Sequence, residues 1–438
     1  MTGRLLARLL LVLALSFGVV GCGQVPSPRE AMEAARDVAA TTQRIVDTLR
    51  QAQSSLEQGA ARRVEATPTA STAIATPQAP TPAPTPLRSG DSPRLPMGTA
   101  TPTALTAVRY REGPGYGLYF TAPFYPEGPA NRYGGLDAAL VRDLDAARQS
   151  IDVASFAIDL PSVTAALARA AQRGVQVRVV TDDESYDEVV NGAAIDDALA
   201  RAGVQMSIDH GSGYSHNKFA IIDDKILWTG SWNLTTNDTY RNNNNMLRLT
   251  EPRLIKNYQQ RFEEFMAGRF HGQADKTVPN PKITLANGVT IENYFSPNGG
   301  ARAAIQARLE AAKKSIRVLA FSLTADKQAD ILIAKRRAGL QVQGVVESRN
   351  ASGSGAEYDR LKNAGVDVLK DGNCYVMHHK VYIIDDRTVI TGSYNFSGQA
   401  ETDNDENLLI IDDPNLAAHY IDEFNRIYNQ AQHPSCGS

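Results

Sequence analysis

The sequence predicts a mixed α/β protein in which two tandem halves of β-α-β type carry mixed sheets flanked by helices. Two observations support this fold class. A motif of six fixed residues occurs twice with the same internal spacing, and the order of helices and strands around it also repeats. A chain of 438 residues is long enough for two ordinary domains and further segments.

The chain begins with a segment typical of an export signal. Arg4 and Arg8 precede an apolar run at 9–20, which is followed closely by Cys22. This pattern predicts a secretory signal peptide over residues 1–21, and the run is too short for a comfortable transmembrane helix. Its end resembles a bacterial lipobox, which implies that Cys22 becomes the acylated first residue. The alternative is an ordinary signal peptide, or an uncleaved anchor with an incidental cysteine.

Two segments of different composition separate the leader from the folded body. Residues 22–65 include a stretch at 29–58 that lacks Pro and Gly and has apolar residues near helical spacing. We expect a helical, membrane-proximal stalk there, with a coil that binds a partner as the alternative. Residues 66–107 consist largely of Thr, Pro, Ala and Ser, which predicts a disordered tether that holds the body off the membrane.

The folded body is predicted to comprise a first half at 108–275 and a second half at 276–438. In each half a helix precedes a strand that begins with Ser-Ile, and a later helix leads through Gly into a Val-rich strand. These are the units of a layered α/β fold. The opening and closing helices are expected at 136–149 and 252–267 in the first half and at 301–314 and 414–429 in the second.

The repeated motif reads His-x-Lys-x4-Asp-x6-Gly-Ser-x-Asn in both copies. Each His-Lys pair opens an apolar run that predicts a strand. Because side chains alternate between the two faces of a strand, the His and Lys share a face, and the Asp faces the other way as a structural anchor. The motif residues are His216, Lys218, Asp223, Ser231 and Asn233 in the first copy and His378, Lys380, Asp385, Ser393 and Asn395 in the second.

This motif resembles that of the phospholipase D superfamily, and the resemblance covers roughly residues 115–430. It implies two similar halves packed face to face as an internal pseudo-dimer. One active site would lie at the pseudo-two-fold seam, complete within one chain, so that the protein can act as a monomer. The resemblance also implies phosphodiester cleavage through a phosphohistidine, without a metal or another cofactor.

The two motif copies supply the groups that this chemistry needs. One His attacks phosphorus, and the covalent intermediate divides one difficult step into two easier ones. The other His protonates the leaving oxygen and then activates water. Two Lys charges and two Asn amides hold the non-bridging oxygens as charge develops. The alternative is two histidines with structural roles only.

A residue that orients each catalytic His is expected 28 positions after the motif histidines. Glu406 occupies this place after His378, and Asn244 occupies it after His216. In the family that the motif resembles, an acidic residue near this place often orients the His of the opposite half. Crossed pairing would put Glu406 behind His216 and Asn244 behind His378. This favours His216 as the nucleophile and His378 as the general acid.

Several other polar or aromatic residues have simpler interpretations. Trp232 and Tyr394 lie inside the Gly-Ser-x-Asn segments and either line the pocket mouth or pack beneath the strand end. The similar runs at 242–245 and 403–407 are expected to be mostly solvated loop. The remaining carboxylates and histidines are expected to be loop or surface groups, namely Asp182, Asp183, Glu184, His210, His271, His419 and His433. Asp182, Asp183 and Glu184 have no His or Cys neighbour in the sequence pattern, so a metal site is not expected there.

The two cysteines outside the leader are Cys374 and Cys436. In an exported protein they could form a disulfide that ties the C-terminus to the second motif, or they could remain two free thiols.

The expected function is phospholipase D-type hydrolysis of phospholipid headgroup esters by a lipid-anchored protein on the outer face of the cell membrane or in the periplasm. A net charge of −3 and a pI of about 6.2 give no global basic footprint for nucleic acid. A nuclease nevertheless remains an alternative, since it would use the same site. Phosphatidyl transfer and an inactive surface-binding module are further alternatives.

Overall fold

The computed structural model describes residues 108–187, 192–434 and 436. The predicted signal peptide, the lipidated Cys22, the helical stalk and the Thr/Pro-rich tether lie outside these residues. Among the described helices, none is long and apolar enough to cross a membrane.

Within the described residues, each half comprises eight strands and five α-helices in the same order. The first half contains β1 (Val108–Gly113), β2 (Tyr116–Thr121), α1 (Leu136–Ala146), β3 (Ser150–Ser155), α2 (Pro161–Gln172), β4 (Gln176–Asp182), α3 (Gly192–Arg201), β5 (Gln205–Asp209), β6 (Lys218–Ile222), β7 (Ile226–Gly230), α4 (Thr236–Tyr240), β8 (Asn245–Leu249) and α5 (Pro252–Met266). The second half contains β9 (Lys282–Thr284), β10 (Thr290–Ser296), α6 (Ala301–Ala311), β11 (Ser315–Ala320), α7 (Asp326–Arg337), β12 (Gln341–Val346), α8 (Tyr358–Asn363), β13 (Asp367–Lys370), β14 (Lys380–Ile384), β15 (Thr388–Gly392), α9 (Gln399–Thr402), β16 (Glu406–Asp412) and α10 (Pro414–Gln432).

The two sheets share one topology. The first has the order β1-β2-β8-β7-β6-β3-β4-β5, and the second has the order β9-β10-β16-β15-β14-β11-β12-β13. In each sheet the three strands joined by crossover helices pair in parallel, and the remaining neighbours pair antiparallel. The mixed sheets and the duplicated β-α-β units confirm the predicted fold class.

Three large hydrophobic clusters form most of the core of the described residues. One lies within each half, and the third combines residues of both halves. Aromatic side chains of α5 and α10 belong to this shared cluster: Tyr258, Phe262, Phe265, Tyr420 and Phe424. The two halves therefore bury a common apolar surface and pack as an internal pseudo-dimer.

The motif aspartates anchor the turn after each motif strand. Asp223 accepts hydrogen bonds from the backbone N–H groups of residues 148–150, at 2.7 to 3.1 Å. Asp385 accepts the same three bonds from residues 313–315. Because these N–H groups are used in this way, α1 and α6 end at 146 and 311, earlier than the sequence predicts.

Cys374 and Cys436 form a disulfide with a Cα–Cα distance of 5.3 Å. The bridge joins the C-terminal segment after α10 to the loop that leads into His378. Of the two alternatives left open by the sequence, the structure shows the bonded form.

Candidate active site

Two short parallel bridges cross the seam between the halves and bring the motif histidines to it. The His216 N–H donates to the Asp405 carbonyl at 2.9 Å, and the Asp405 N–H donates to the Tyr214 carbonyl at 2.8 Å. In the equivalent bridge of the other half, the His378 N–H donates to the Asn243 carbonyl and the Asn243 N–H donates to the Val376 carbonyl, both at 2.9 Å. Each bridge places the residue after it, 406 or 244, beside the histidine of the opposite half.

The orienting residues cross between the halves. Nδ1 of His216 lies 2.8 Å from Oε2 of Glu406, and Nδ1 of His378 lies 2.9 Å from Oδ1 of Asn244. The motif serines hold these partners, since Ser393 donates to Glu406 at 2.6 Å and Ser231 donates to Asn244 at 2.8 Å. With Nδ1 engaged in each ring, Nε2 is the nitrogen that remains for a substrate.

The two motif lysines are buried beside the histidines. Lys218 Nζ donates to the His216 carbonyl at 2.7 Å, and Lys380 Nζ donates to the His378 carbonyl at 3.0 Å. Their exposed fractions are 1% and 0%. Two cationic side chains held beside the histidines give this part of the seam a positive potential, which favours a negatively charged ligand.

Burial and the lysines together set the protonation of the site. Burial, followed by the charges of Lys218 and Lys380, holds the pKa of His216 well below its usual range. Burial, followed by the same two lysines, also lowers the pKa of His378. Burial raises the pKa of Glu406 to about 8. These shifts favour a protonated Glu406 carboxyl and uncharged imidazoles at the site.

The motif asparagines retain hydrogen-bonding capacity. Within the described part of the chain, Oδ1 of Asn233 and Oδ1 of Asn395 are buried without a hydrogen-bond partner. A buried acceptor without a partner is unfavourable, so these oxygens are suited to accepting a hydrogen bond from a ligand. The amide nitrogens of the same side chains are the groups that can donate to phosphate oxygens.

Two phenylalanines next to the histidines were missed by the sequence analysis. The Phe156 ring lies edge-on to His216 with centroids 5.3 Å apart, and Phe321 packs in the same way on His378 at 4.7 Å. The motif lysine Nζ atoms lie 5.3 and 4.5 Å from the centroids of these two rings. Both phenylalanines directly follow β3 or β11, and this shared position in the repeat was a signal that could have identified them.

The structure corrects the expectation that the two polar runs after the motifs, 242–245 and 403–407, are mostly solvated loop. Asn243, Asn244 and Asn245 are fully buried, and so are the corresponding Asp405, Glu406 and Asn407, so neither run is mostly solvated loop. These residues pair across the seam: Asn407 donates to Asn217 at 3.0 Å, and Asn245 lies 3.0 Å from His379. Buried polar side chains at an interface need such partners.

The two aromatic residues inside the motifs belong to the core. Trp232 and Tyr394 are 0% and 1% exposed and pack within the clusters of the first and second half. Of the two interpretations, packing beneath the strand end is the one observed. Their polar atoms are satisfied there, since Trp232 donates to Thr239 and Tyr394 donates to Glu401.

Asp182 is not a loop group, and His271, in the turn that follows α5, is not an isolated surface group. Asp182 is buried at the end of β4 and accepts the Ser215 N–H at 2.6 Å, which fixes the residue before His216. His271 lies between Asp209 and Asp405, with its two ring nitrogens 2.5 and 3.3 Å from their carboxylates. Among the described residues these three alone form a group of metal-ligating type. Because both nitrogens already face carboxylates, we interpret the group as an ion cluster at the seam.

The fold and this site define an internally duplicated α/β protein with paired His-Lys motifs at one seam. A family model described as "Cardiolipin synthase, PLD-like domain" matches residues 140–266 and 305–428, more than half of the chain. The chain belongs to the phospholipase D superfamily.

Similar proteins share this family. A mouse protein named mitochondrial cardiolipin hydrolase is 37% identical over 148 residues, which cover 32% of this chain and 66% of the relative. A Rickettsia typhi protein named phospholipase D is 31% identical over 154 residues, covering 35% of this chain and 74% of the relative. The chain spans about half to two thirds of the length of the first curated relatives that it matches. The structure of phosphatidylserine synthase from Haemophilus influenzae has the same fold, with a TM-score of 0.53 at 11% identity over 68% of this chain and 84% of that one.

Proposed function

We propose that this protein is a phospholipase D-type phosphodiesterase that hydrolyses the headgroup esters of phospholipids without a metal. The observation that carries the proposal is the pair of histidines at one seam, each held through Nδ1 by the opposite half beside a buried lysine. The predicted export signal supports a membrane substrate, because an anchored protein outside the cytoplasm meets lipid. The names of the relatives support the same substrate class.

The first step uses His216 as the nucleophile. Its Nε2 attacks phosphorus, and the bond from phosphorus to the headgroup oxygen breaks. The leaving oxygen takes a proton from His378, so the alcohol departs neutral. Lys218, Lys380 and the motif asparagines bind the non-bridging oxygens, whose negative charge grows in the transition state.

The second step returns the enzyme to its starting state. His378 removes a proton from water, and the water oxygen attacks phosphorus while the bond to His216 breaks. The products are phosphatidic acid and the free alcohol. Glu406 stabilises the positive charge on the phosphorylated His216 ring, since its carboxylate lies 2.8 Å from Nδ1.

The protonation of the site suits this sequence. Burial raises the pKa of Glu406 to about 8, which favours a proton on that carboxyl. An anionic phosphate between the lysines offsets the charges that lower the histidine pKa values. Transfer of the proton to His378 then gives an ionised Glu406, an unprotonated His216 Nε2 and a protonated general acid.

The first test is an assay of the full chain in detergent with EDTA present. Vesicles of phosphatidylcholine, phosphatidylethanolamine and cardiolipin are compared with single-stranded DNA and RNA. His216→Ala and His378→Ala should each abolish lipid cleavage, and His433→Ala, at an exposed site, should leave it unchanged. Cleavage of nucleic acid alone would replace this proposal with a nuclease. Cleavage of neither substrate by a folded protein would favour a surface-binding module, and a product carrying a second alcohol would indicate phosphatidyl transfer.

A further inference from the structure

The two halves differ in the acidic residues that they bring to the site. Positions in the second motif follow those in the first by a constant 162 residues, as His216 and His378 show. At that offset Glu406 corresponds to Asn244, so the first half lacks the carboxylate that the second half provides. The position that gives His216 its acidic partner therefore gives His378 only a neutral amide.

A carboxylate reaches His378 from a different position. Asp238 lies on α4, five residues after the motif Asn233, and its Oδ2 is 3.7 Å from Nδ1 of His378. Its counterpart five residues after the second motif asparagine is Ala400. Each half thus contributes one carboxylate at the site, and the two halves contribute it from different positions.

The Asp238 side chain is held firmly in place. It is 3% exposed. Its Oδ2 accepts the Asn233 N–H at 2.9 Å, and its Oδ1 accepts from the Asn242 amide at 2.6 Å. The Asp238 carbonyl accepts the Asn244 amide at 3.0 Å, which links the carboxylate-bearing residue to the direct partner of His378.

We propose that Asp238 is the positioning residue that stabilises the protonated form of His378, the role that Glu406 has for His216, while Asn244 acts as a neutral acceptor for Nδ1–H. The proposal rests on the proposed function, in which His378 is the general acid. The asymmetry matches the two roles. A nucleophile gains from a carboxylate in direct contact, whereas a general acid must hold a proton and then release it.

The charges around His378 show why a carboxylate is needed there. The groups that lower the pKa of His378 after burial are Lys380, Lys218 and the neighbouring His216 and His379. The acidic side chains at the site are Glu406, in the same half as His378, and Asp238, across the seam from it. An opposite charge at 4 to 6 Å changes a pKa by roughly one to three units. Without Asp238, protonated His378 would face Lys218 with no carboxylate of the first half within 4 Å of its Nδ1.

The test moves the carboxylate between the two positions. Asp238→Asn removes the charge and keeps a side chain of the same shape. Asp238→Asn combined with Asn244→Glu restores a carboxylate where Glu406 stands in the other half, and Ser231 is placed to hold it as Ser393 holds Glu406. Asp159→Asn is the matched control, because Asp159 also anchors α4, by accepting the Thr236 N–H at 2.7 Å.

The first readout is the dependence on the leaving group. Asp238→Asn should lower kcat on phosphatidylcholine about ten-fold. It should leave the burst of p-nitrophenol from bis(p-nitrophenyl) phosphate unchanged within about two-fold, because that leaving group departs without a proton. The double variant should recover most of the loss on phosphatidylcholine. An equal loss on both substrates, or an equal loss in Asp159→Asn, would show a structural role and overturn the proposal.

The second readout does not depend on activity. Nitrogen NMR of ¹⁵N-histidine-labelled full chain, with inorganic phosphate as the probe, follows the titration of the His378 ring. Asp238→Asn should lower its pKa by about one unit, and Asp159→Asn should not. If the double variant does not fold, the titration of the single variants is sufficient to test whether Asp238 stabilises protonated His378. A shift in a protein that cleaves no phosphodiester would support the role of Asp238 and refute the proposed function, so the two failures are distinguishable.

Discussion

Replacing Glu406 by glutamine should separate activity from stability. Glu406 is fully buried, and its carboxylate lies 2.8 Å from Nδ1 of His216. Glutamine keeps the shape and can still accept the Nδ1–H hydrogen bond, so only the charge is removed. Two unit charges about 4 Å apart interact by about 4 kcal/mol at an effective dielectric constant of about 20. Loss of that stabilisation from the phosphohistidine step lowers kcat about a thousand-fold.

The same substitution should stabilise the folded protein relative to the wild type, and increasingly so as pH rises from 5 to 8. Burial raises the pKa of Glu406 to about 8, from an ordinary value of 4.5. Because the folded protein binds this proton more tightly than the unfolded chain, stability is full below the ordinary pKa and declines as pH rises to about 8. The decline approaches about 1.4 kcal/mol per pH unit for this group. Glutamine does not titrate, so the variant should gain stability relative to the wild type between pH 5 and 8.

The assays are steady-state cleavage of phosphatidylcholine vesicles and denaturant unfolding at pH 5, 6.5 and 8. Glu401→Gln is the matched control: Glu401 lies in the same segment and accepts hydrogen bonds from Tyr394 and the Arg302 N–H, away from the histidines. It should keep its activity and show no pH-dependent gain in stability. A Glu406→Gln variant that stays active, or one whose stability differs from that of the wild type by the same amount at every pH, would refute the reasoning.

Three further predictions concern the stability of the scaffold and the independence of the reaction from metal ions. Asp223→Ala and Asp385→Ala should each destabilise the protein by about 1–3 kcal/mol, measured by denaturant unfolding, because three backbone N–H groups lose their acceptor; an unchanged midpoint would contradict the anchoring role. Cys374→Ser with Cys436→Ser should cost about 4 kcal/mol, since the disulfide closes a loop with a sequence separation of 62; a thermal midpoint unaffected by reductant would contradict this. EDTA should leave the rate of phosphatidylcholine cleavage unchanged, and restoration of a lost rate by added Zn²⁺ or Mg²⁺ would oppose the metal-free mechanism.

Much of the fold can be predicted from the sequence because the same pattern of motifs, helices and strands occurs in both halves. The His-x-Lys spacing places both side chains on one strand face, and the aspartate seven residues later faces the opposite side in both halves. The offset of 28 residues also indicated the crossed partners, and the structure places Glu406 beside His216 and Asn244 beside His378. Periodicity and repetition are local properties, so they can be read from the sequence.

The seam could not be predicted in the same way. The runs at 242–245 and 403–407 are among the most polar in the chain, and polarity alone indicates solvated loop. They are buried because each finds its partners on the other half, as Asn407 does with Asn217. His271 was missed for the same reason, since its carboxylates come from Asp209 and Asp405 in different halves. Such contacts depend on tertiary packing, which the local pattern does not encode.

The central claim is that His216 forms the covalent intermediate, and trapping tests it most directly. In His378→Ala the leaving p-nitrophenolate of bis(p-nitrophenyl) phosphate needs no general acid, but hydrolysis of the intermediate lacks its base. The account predicts a burst of one p-nitrophenol per protein and a stable adduct that mass spectrometry places on His216. The account would be contradicted by an adduct on His378 in the His216→Ala variant together with no adduct on His216 in the His378→Ala variant.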